Sequence, residues 1–341
     1  MKKILSLFVI AVTFSCASSK ITTTDTVSKV SDPTKYMNTI TAKELKTHLY
    51  IVASDEMEGR ETGSPGQKKA GQYLISQYQK NGIPFPKGAT NFYQPIPAAY
   101  LNAKRNENLA DSENIWAYIE SSEKPNEIIV ISAHYDHVGI NGGEIYNGAD
   151  DDGSGTVTLL EIAEAFEIAK KEGKGPKRSI LFLHVTGEEH GLHGSRFYSE
   201  NPLFPLANTI TDINIDMIGR RDEAHADSNN YVYLIGADRL SSDLDNICTT
   251  VNEKYTNLKL DYKYNDPMDP NRFYERSDHY NFAKHGIPSV FLFNGVHADY
   301  HKKTDTPDKI EYDALTKRAQ FAFVTAWELA NRENRPVVDK K

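Results

Sequence analysis

The chain has 341 residues, 39% hydrophobic, 10% aromatic and 25% charged, enough for one large α/β domain. Its formal net charge of −8, with no lysine or arginine run, argues against a nucleic-acid partner. Cys16 and Cys248 are its two cysteines, which excludes a fold held by a disulfide framework.

The N-terminus, MKKILSLFVIAVTFSC, places two lysines before an apolar stretch from Ile4 to Phe14 and ends at Cys16. That is the layout of a secretory signal, too short for a stable membrane span. Cys16 stands where a bacterial lipobox has its cysteine, so residues 1–16 read as a signal peptide and Cys16 as a candidate lipid anchor. Thr13-Phe14-Ser15 departs from the usual lipobox residues. The expected location is the bacterial cell envelope, periplasmic or outer-membrane, or secreted if Cys16 carries no lipid; the membrane would be touched only through that anchor. Residues 17–38, rich in Ser, Thr and Lys, read as a flexible tether, and residues 39–335 as a single domain.

Ala42, Leu45, Leu49 and Val52 recur at helical spacing, and a polar loop, 54–66, follows. Ser64-Pro65 predicts a helix start, with Ser as N-cap, and Gly82 its end. Short apolar stretches between 91 and 118 suit edge strands. The β-branched run Ile128–Ile131 predicts a strand over 128–133 buried on both faces. A helix over 156–171 is expected to bury Leu159, Ile162, Ala163, Phe166 and Ala169 and to turn Glu161, Glu164, Glu167 and Lys171 to water. Strands follow at 180–186, 209–215, 231–235 and 289–293, with helices near 241–255 and 313–331. This alternation predicts an α/β fold, a mostly parallel central sheet flanked by helices on both faces.

Chemistry-bearing residues gather where the strands end. His134 and Asp136 follow the first core strand, Glu188 and Glu189 the second and Asp216 the third, and His301 comes shortly after the last. Asp150, Asp151 and Asp152 close a Gly- and Asn-rich loop. Open α/β sheets bind ligands at the carboxyl ends of their strands, so these residues converge on one crevice. A carboxylate cluster beside histidines is costly unless cations neutralise it. Two cations sharing one carboxylate need five donors, supplied by His134, Asp151, Glu189, Asp216 and His301; imidazole with carboxylate oxygen suits zinc. Such a pair clamps a water and polarises a carbonyl, which is machinery for hydrolysis. Adjacent Glu188 and Glu189 diverge at a turn, so Glu189 is assigned to metal and Glu188 to general base; Asp136 is expected to accept the free ring N–H of His134.

The segments HYD (134–136), NGADDDGSG (147–155), GEEHGLHGS (187–195), NIDMIG (214–219), RSDHYNF (276–282), GIPSVFLF (286–293) and DYHKKTDTP (299–307) resemble, in that order, the M28 family of two-zinc peptidases, mostly aminopeptidases. GRETGSPG (59–66) resembles the family's lead-in, so the likeness spans about residues 41–330. It implies the zinc-exopeptidase, phosphorylase/hydrolase-like fold, two Zn²⁺ as cofactors and peptides with a free N-terminus as substrates. His134 and Asp216 would hold one zinc and Glu189 and His301 the other. By the same resemblance Asp151 would be the bridge, since the family places its bridging carboxylate three residues before the serine that Ser154 matches, with Asp150 as runner-up. The resemblance also implies a cis bond after that aspartate and makes Tyr300 a candidate to hydrogen-bond the tetrahedral intermediate.

Other readings are a glutaminyl cyclase-like or carboxypeptidase-type relative, or a non-catalytic metal-binding surface lipoprotein. Retention of both His134 and Asp216 speaks against the one-zinc cyclase, and no arginine-rich pocket for acidic substrate ends is legible. His184 reads as a core residue, and His48, His225 and His285 as surface or loop residues. His137, His190, His193, His279 and His297 lie near the site in sequence, while Asp278 is expected to cap the helix after it.

Overall fold

A computed structural model describes residues 30–105 and 107–340, so the leader, Cys16 and most of the expected tether lie outside the described residues. The last part of that expected tether is structured. Thr34–Met37 form a helical turn that buries Tyr36 and Met37, and Trp327 donates its indole N–H to the Ser31 carbonyl. Among the described residues no helix is long and apolar enough to cross a membrane.

The strands in chain order are β1 (Tyr93–Ile96), β2 (Ser112–Ile119), β3 (Lys124–His134), β4 (Gly139–Asn141), β5 (Glu144–Tyr146), β6 (Arg178–Val185), β7 (Thr209–Ile215), β8 (Tyr231–Ile235), β9 (Lys259–Asp261) and β10 (Ser289–Phe293). Eight of them form one sheet in the order β1-β2-β6-β3-β7-β10-β8-β9, and β4 and β5 pair as a separate hairpin. The heart of the sheet, β6-β3-β7-β10, is parallel, as the alternation of strands and helices predicts. The flanks run against it, since β2 is antiparallel to β6 and β8 antiparallel to β10. Between β7 and β8 the chain holds only a single 3₁₀ turn, Glu223–His225, and has no helix to carry it back for a parallel return.

Burial alternates along the central strands. Ile129, Ile131, Ile180 and Phe182 face a large apolar layer, while Ile128, Val130, Leu181 and Leu183 face a smaller one with Tyr198 and Phe282. Helices Ala42–Val52, Pro65–Asn81, Gly155–Lys171 and Tyr312–Asn331 supply the large layer. Short helices His193–Glu200 and His279–Ala283 cover the other face. Ser64 accepts from the Gln67 amide as the N-cap of its helix, which closes on Gly82 in the left-handed region.

Two expectations about surface residues fail. Glu161 and Glu167 are buried, because helix Gly155–Lys171 lies between the sheet and the helices of the large layer rather than on the surface. His48 is correspondingly half-buried, with Nε2 3.3 Å from Glu161 Oε1 and Nδ1 2.6 Å from the Tyr73 hydroxyl. His225 is buried as well, stacked on Tyr231 and 2.8 Å from Asp222 Oδ1. His285 is exposed, as read.

His184 sits in the core of β6 with Nε2 2.7 Å from the Tyr78 hydroxyl, and burial lowers its pKa from 6.5 to about 3. The folded form therefore resists the proton that the unfolded chain accepts. This contribution is complete above pH 6.5 and is lost as pH falls toward 3. In His184→Asn, the loss of unfolding free energy between about pH 6 and about pH 4 becomes shallower by about 1.4 kcal/mol per pH unit, read by denaturant titration at several pH values. An unchanged slope would mean that His184 is charged in the folded protein.

Candidate metal centre

The site lies at the carboxyl ends of β3, β6 and β7. β3 ends at His134, Glu188 and Glu189 follow β6, and Asp216 follows β7. The loop 148–155 crosses above them with a cis bond between Asp151 and Asp152. Within it the three aspartates have separate partners. Asp150 Oδ1 accepts the Gly219 amide at 2.6 Å, and its Oδ2 lies 3.1 Å from His297 Nε2. Asp152 Oδ1 accepts the amides of Met217 and Gly155 at 3.0 and 2.9 Å. Both of these carboxylates pin the loop, and Asp151 is left to project into the crevice. That separates it from Asp150, the runner-up bridge.

The two oxygens of Asp151 face different neighbours. Oδ1 is 3.3 Å from His134 Nε2, which is itself 3.6 Å from Asp216 Oδ1. Oδ2 is 3.0 Å from His301 Nε2, and that nitrogen is 3.0 Å from Glu189 Oε2. Donors around tetrahedral zinc at about 2.0–2.1 Å stand about 3.3 Å apart. The donor atoms of His134, Asp151 and Asp216 lie within 4.8 Å of one another, as do those of His137, Asp151 and Glu189. Each of these two groups could hold a metal ion.

Protonation points the same way. Burial pushes the Asp216 carboxyl up, and it would push Asp151 up too, but the adjacent imidazoles of His134 and His301 hold Asp151 well below the usual carboxylate range. Burial would depress His134, yet the charge on Glu188 and the carboxylates of Asp136, Asp151 and Asp216 drive it well above an ordinary imidazole. The crevice demands positive charge.

Glu188 is largely buried, its Oε2 4.0 Å from His134 Nε2, and burial raises its pKa well above the ordinary value. Tyr300 stacks on His301 with ring centroids 3.9 Å apart and lines the crevice. All eight residues singled out in the sequence, His134, Asp136, Asp151, Glu188, Glu189, Asp216, Tyr300 and His301, thus meet at one edge of the sheet.

Two local expectations need correcting. His134 Nδ1 lies 3.1 Å from the backbone carbonyl of Asp136 and 3.7 Å from its carboxylate, beyond hydrogen-bond reach of the latter. The Asp136 carboxylate instead accepts the Thr62 hydroxyl and the Glu188 amide, at 2.9 and 3.2 Å. It therefore ties the general-base candidate to the lead-in loop. Asp278 makes no capping bond; its carboxylate accepts the Ser195 hydroxyl, and burial raises its pKa to about 7.

Sequence reasoning missed several supports. Arg60 is fully buried and donates to the carbonyls of Val52, Tyr135, Asn147 and Gly148, stitching the lead-in loop to both sides of the site. Asp305 Oδ2 accepts the amides of Asp150 and Asp151 at 3.0 and 3.1 Å. The GRETG motif and the DTP run after His301 carry these residues, but no spacing rule identifies their targets.

Two clefts meet at Glu188 and Tyr300. One, narrow at about 30 Å³, runs from Asp151 and Asp216 between Met217, Phe273, Phe291, Phe293 and Val296. The other, of about 480 Å³, is lined by Glu189, His190, His193 and His301 together with Lys104, Arg105, Arg196 and Arg276. Those four cations come from distant segments, so their gathering was not legible in the sequence.

A buried carboxylate-imidazole cluster at the carboxyl edge of such a sheet, beside an open cleft, is a candidate metal centre. The sequence profile of peptidase family M28 matches residues 114–326, and the chain belongs to that family. Among curated relatives, a probable leucine aminopeptidase of Arthroderma otae is 29% identical over 213 residues, 61% of this chain and 55% of the relative. The chain thus spans about half the length of the curated relatives it matches. Among solved structures, an aminopeptidase from Aneurinibacillus sp. strain AM-1 aligns with a TM-score of 0.66 at 16% identity, covering 91% of this chain and 98% of that one. Glutaminyl cyclase from Porphyromonas gingivalis aligns with a TM-score of 0.65 at 18% identity, covering 84% and 97%. These two share the fold with this chain and do not choose between the activities.

Cations that bind only the folded protein stabilise it. Zinc at about 100 times its dissociation constant adds about 2.7 kcal/mol per site, read as a rise in the thermal unfolding midpoint of metal-stripped protein. Asp151→Ala, which removes a donor from both sets, abolishes most of that rise. A midpoint indifferent to zinc would contradict the assignment.

Proposed function

We propose that this protein is an exopeptidase that uses two zinc ions to remove the first residue from peptides with a free N-terminus. The observation that carries the reading is Asp151, whose two oxygens face two separate donor sets. When bound, the zinc ions would acidify a water and polarise the scissile carbonyl.

The residues of the chain supply the rest. Glu188 stands where the two clefts join, with its amide fixed on Asp136, and it takes the proton of the attacking water and hands it to the leaving amine. Its raised pKa suits a group that must both accept and release that proton. Tyr300 lines both clefts, where its hydroxyl can donate to the oxyanion. The walls Met217, Phe273, Phe291, Phe293 and Val296 favour an apolar side chain on the departing residue, in keeping with relatives named leucine aminopeptidase. The signal-like layout of residues 1–16, with Cys16 at a lipobox-like position, supports action in the bacterial cell envelope.

Hydrolysis of aminoacyl-nitroanilides tests the reading. Leucine and phenylalanine derivatives are expected to be cleaved and N-blocked analogues left intact. Glu188→Gln keeps both zinc ions while turnover falls by about 10²–10⁴-fold or more. Cyclisation of N-terminal glutamine without peptide cleavage, or undiminished turnover in the variant, would overturn it.

A further inference from the structure

Both ring nitrogens of His137, together with Asp151 Oδ2 and Glu189 Oε1, are buried without a hydrogen-bond partner, and His137 Nδ1 and the two oxygens lie on one side of Asp151. His137 Nδ1 is 2.8 Å from Glu189 Oε1 and 3.7 Å from Asp151 Oδ2. At 2.8 Å a ring N–H aimed at the carboxylate would make a hydrogen bond, but the alignment required for one is missing. The nitrogen and both oxygens converge on a common point between them. Unsatisfied buried groups are rare, and three in mutual reach call for a shared partner.

We infer that His137 is a sixth metal-holding residue, so that the cation beside Glu189 is gripped by His137 and His301 together with Glu189 and Asp151. The inference rests on the two-cation reading and makes its two positions unequal. One has His134, Asp216 and a share of Asp151; the other has an imidazole on either side. The rings of His137 and His301 stand edge to face with centroids 5.8 Å apart, so both reach the same carboxylates without stacking on each other.

The surroundings are built for this placement. His137 is fully buried, its amide held by the Arg60 carbonyl at 3.2 Å. Gly148 lies directly under its ring, where a Cβ would meet ring carbons at 2.4 Å. Gly148 also has φ +56, and its carbonyl accepts from Arg60. Any larger residue at 148 would push the imidazole off the site. The second imidazole makes this position a strong zinc site, since zinc favours mixed nitrogen and oxygen donors. The Asp216 side, with one histidine, is the weaker and more exchangeable position.

The discriminating variant is His137→Asn. Its amide N–H occupies roughly the place of Nδ1, so it can still donate to Glu189 but cannot ligate zinc. Metal-stripped native protein and variant are titrated with Co²⁺, followed by visible absorption and by metal analysis after dialysis. Native protein is expected to take up two equivalents in two steps. In the variant one step weakens by more than about 100-fold, beyond the 10–100-fold that follows loss of an outer hydrogen-bond partner. The remaining step is the internal control that the variant is folded. A smaller loss would make His137 only a positioning residue and overturn the inference while leaving the two-cation reading intact. Failure of the native protein to bind two equivalents would overturn that reading itself. On the native protein alone, X-ray absorption of the zinc-loaded form is expected to count three imidazoles per two zinc ions; two would overturn the inference.

Discussion

The structure depends on a concentration of negative charge at one rim of its sheet. Asp136, Asp150, Asp151, Asp152, Asp216, Asp278 and Asp305 are all buried there, beside the nearly buried Glu188 and Glu189. Like charges at such density are strongly unfavourable in a low-dielectric crevice, and several of these carboxyls are pushed up in pKa by burial. The fold answers in three ways. Backbone amides absorb Asp150, Asp152 and Asp305, the fully buried Arg60 lies close behind, and imidazoles alternate with the carboxylates that remain. What these leave unanswered is the middle of the crevice, where Asp151 looks both ways.

Much of this was legible because strand ends are readable. β7, β8 and β10 have the bounds that the apolar runs indicate, and the parallel heart of the sheet follows from strands alternating with helices. Once those strands lie side by side, residues as distant as His134 and His301 must meet. The chemistry was read from their shared position at the end of a strand more than from any single motif.

What escaped the reading depends on long-range packing. The reversal of β8 is set by a connection without a helix, and nothing in YVYLI itself encodes direction. Glu161 and Glu167 look like a solvent face until the other helices close over them. Asp136 and Asp278 were given their sequence neighbours as partners, whereas they bind Thr62, Glu188 and Ser195, brought near only by the fold. Arg60 serves four carbonyls on three segments, a role visible only when those segments converge. Local pattern identifies the actors here, and tertiary contact assigns their partners.

The claim underlying this picture is that a single carboxylate, Asp151, is shared by two metal ions. Anomalous diffraction at the zinc edge, from crystals of zinc-loaded protein, tests it most directly. The account predicts two peaks about 3.5–4 Å apart on either side of Asp151, one beside His134 and Asp216 and the other beside Glu189 and His301. A lone peak, or zinc bound away from that carboxylate, would contradict it.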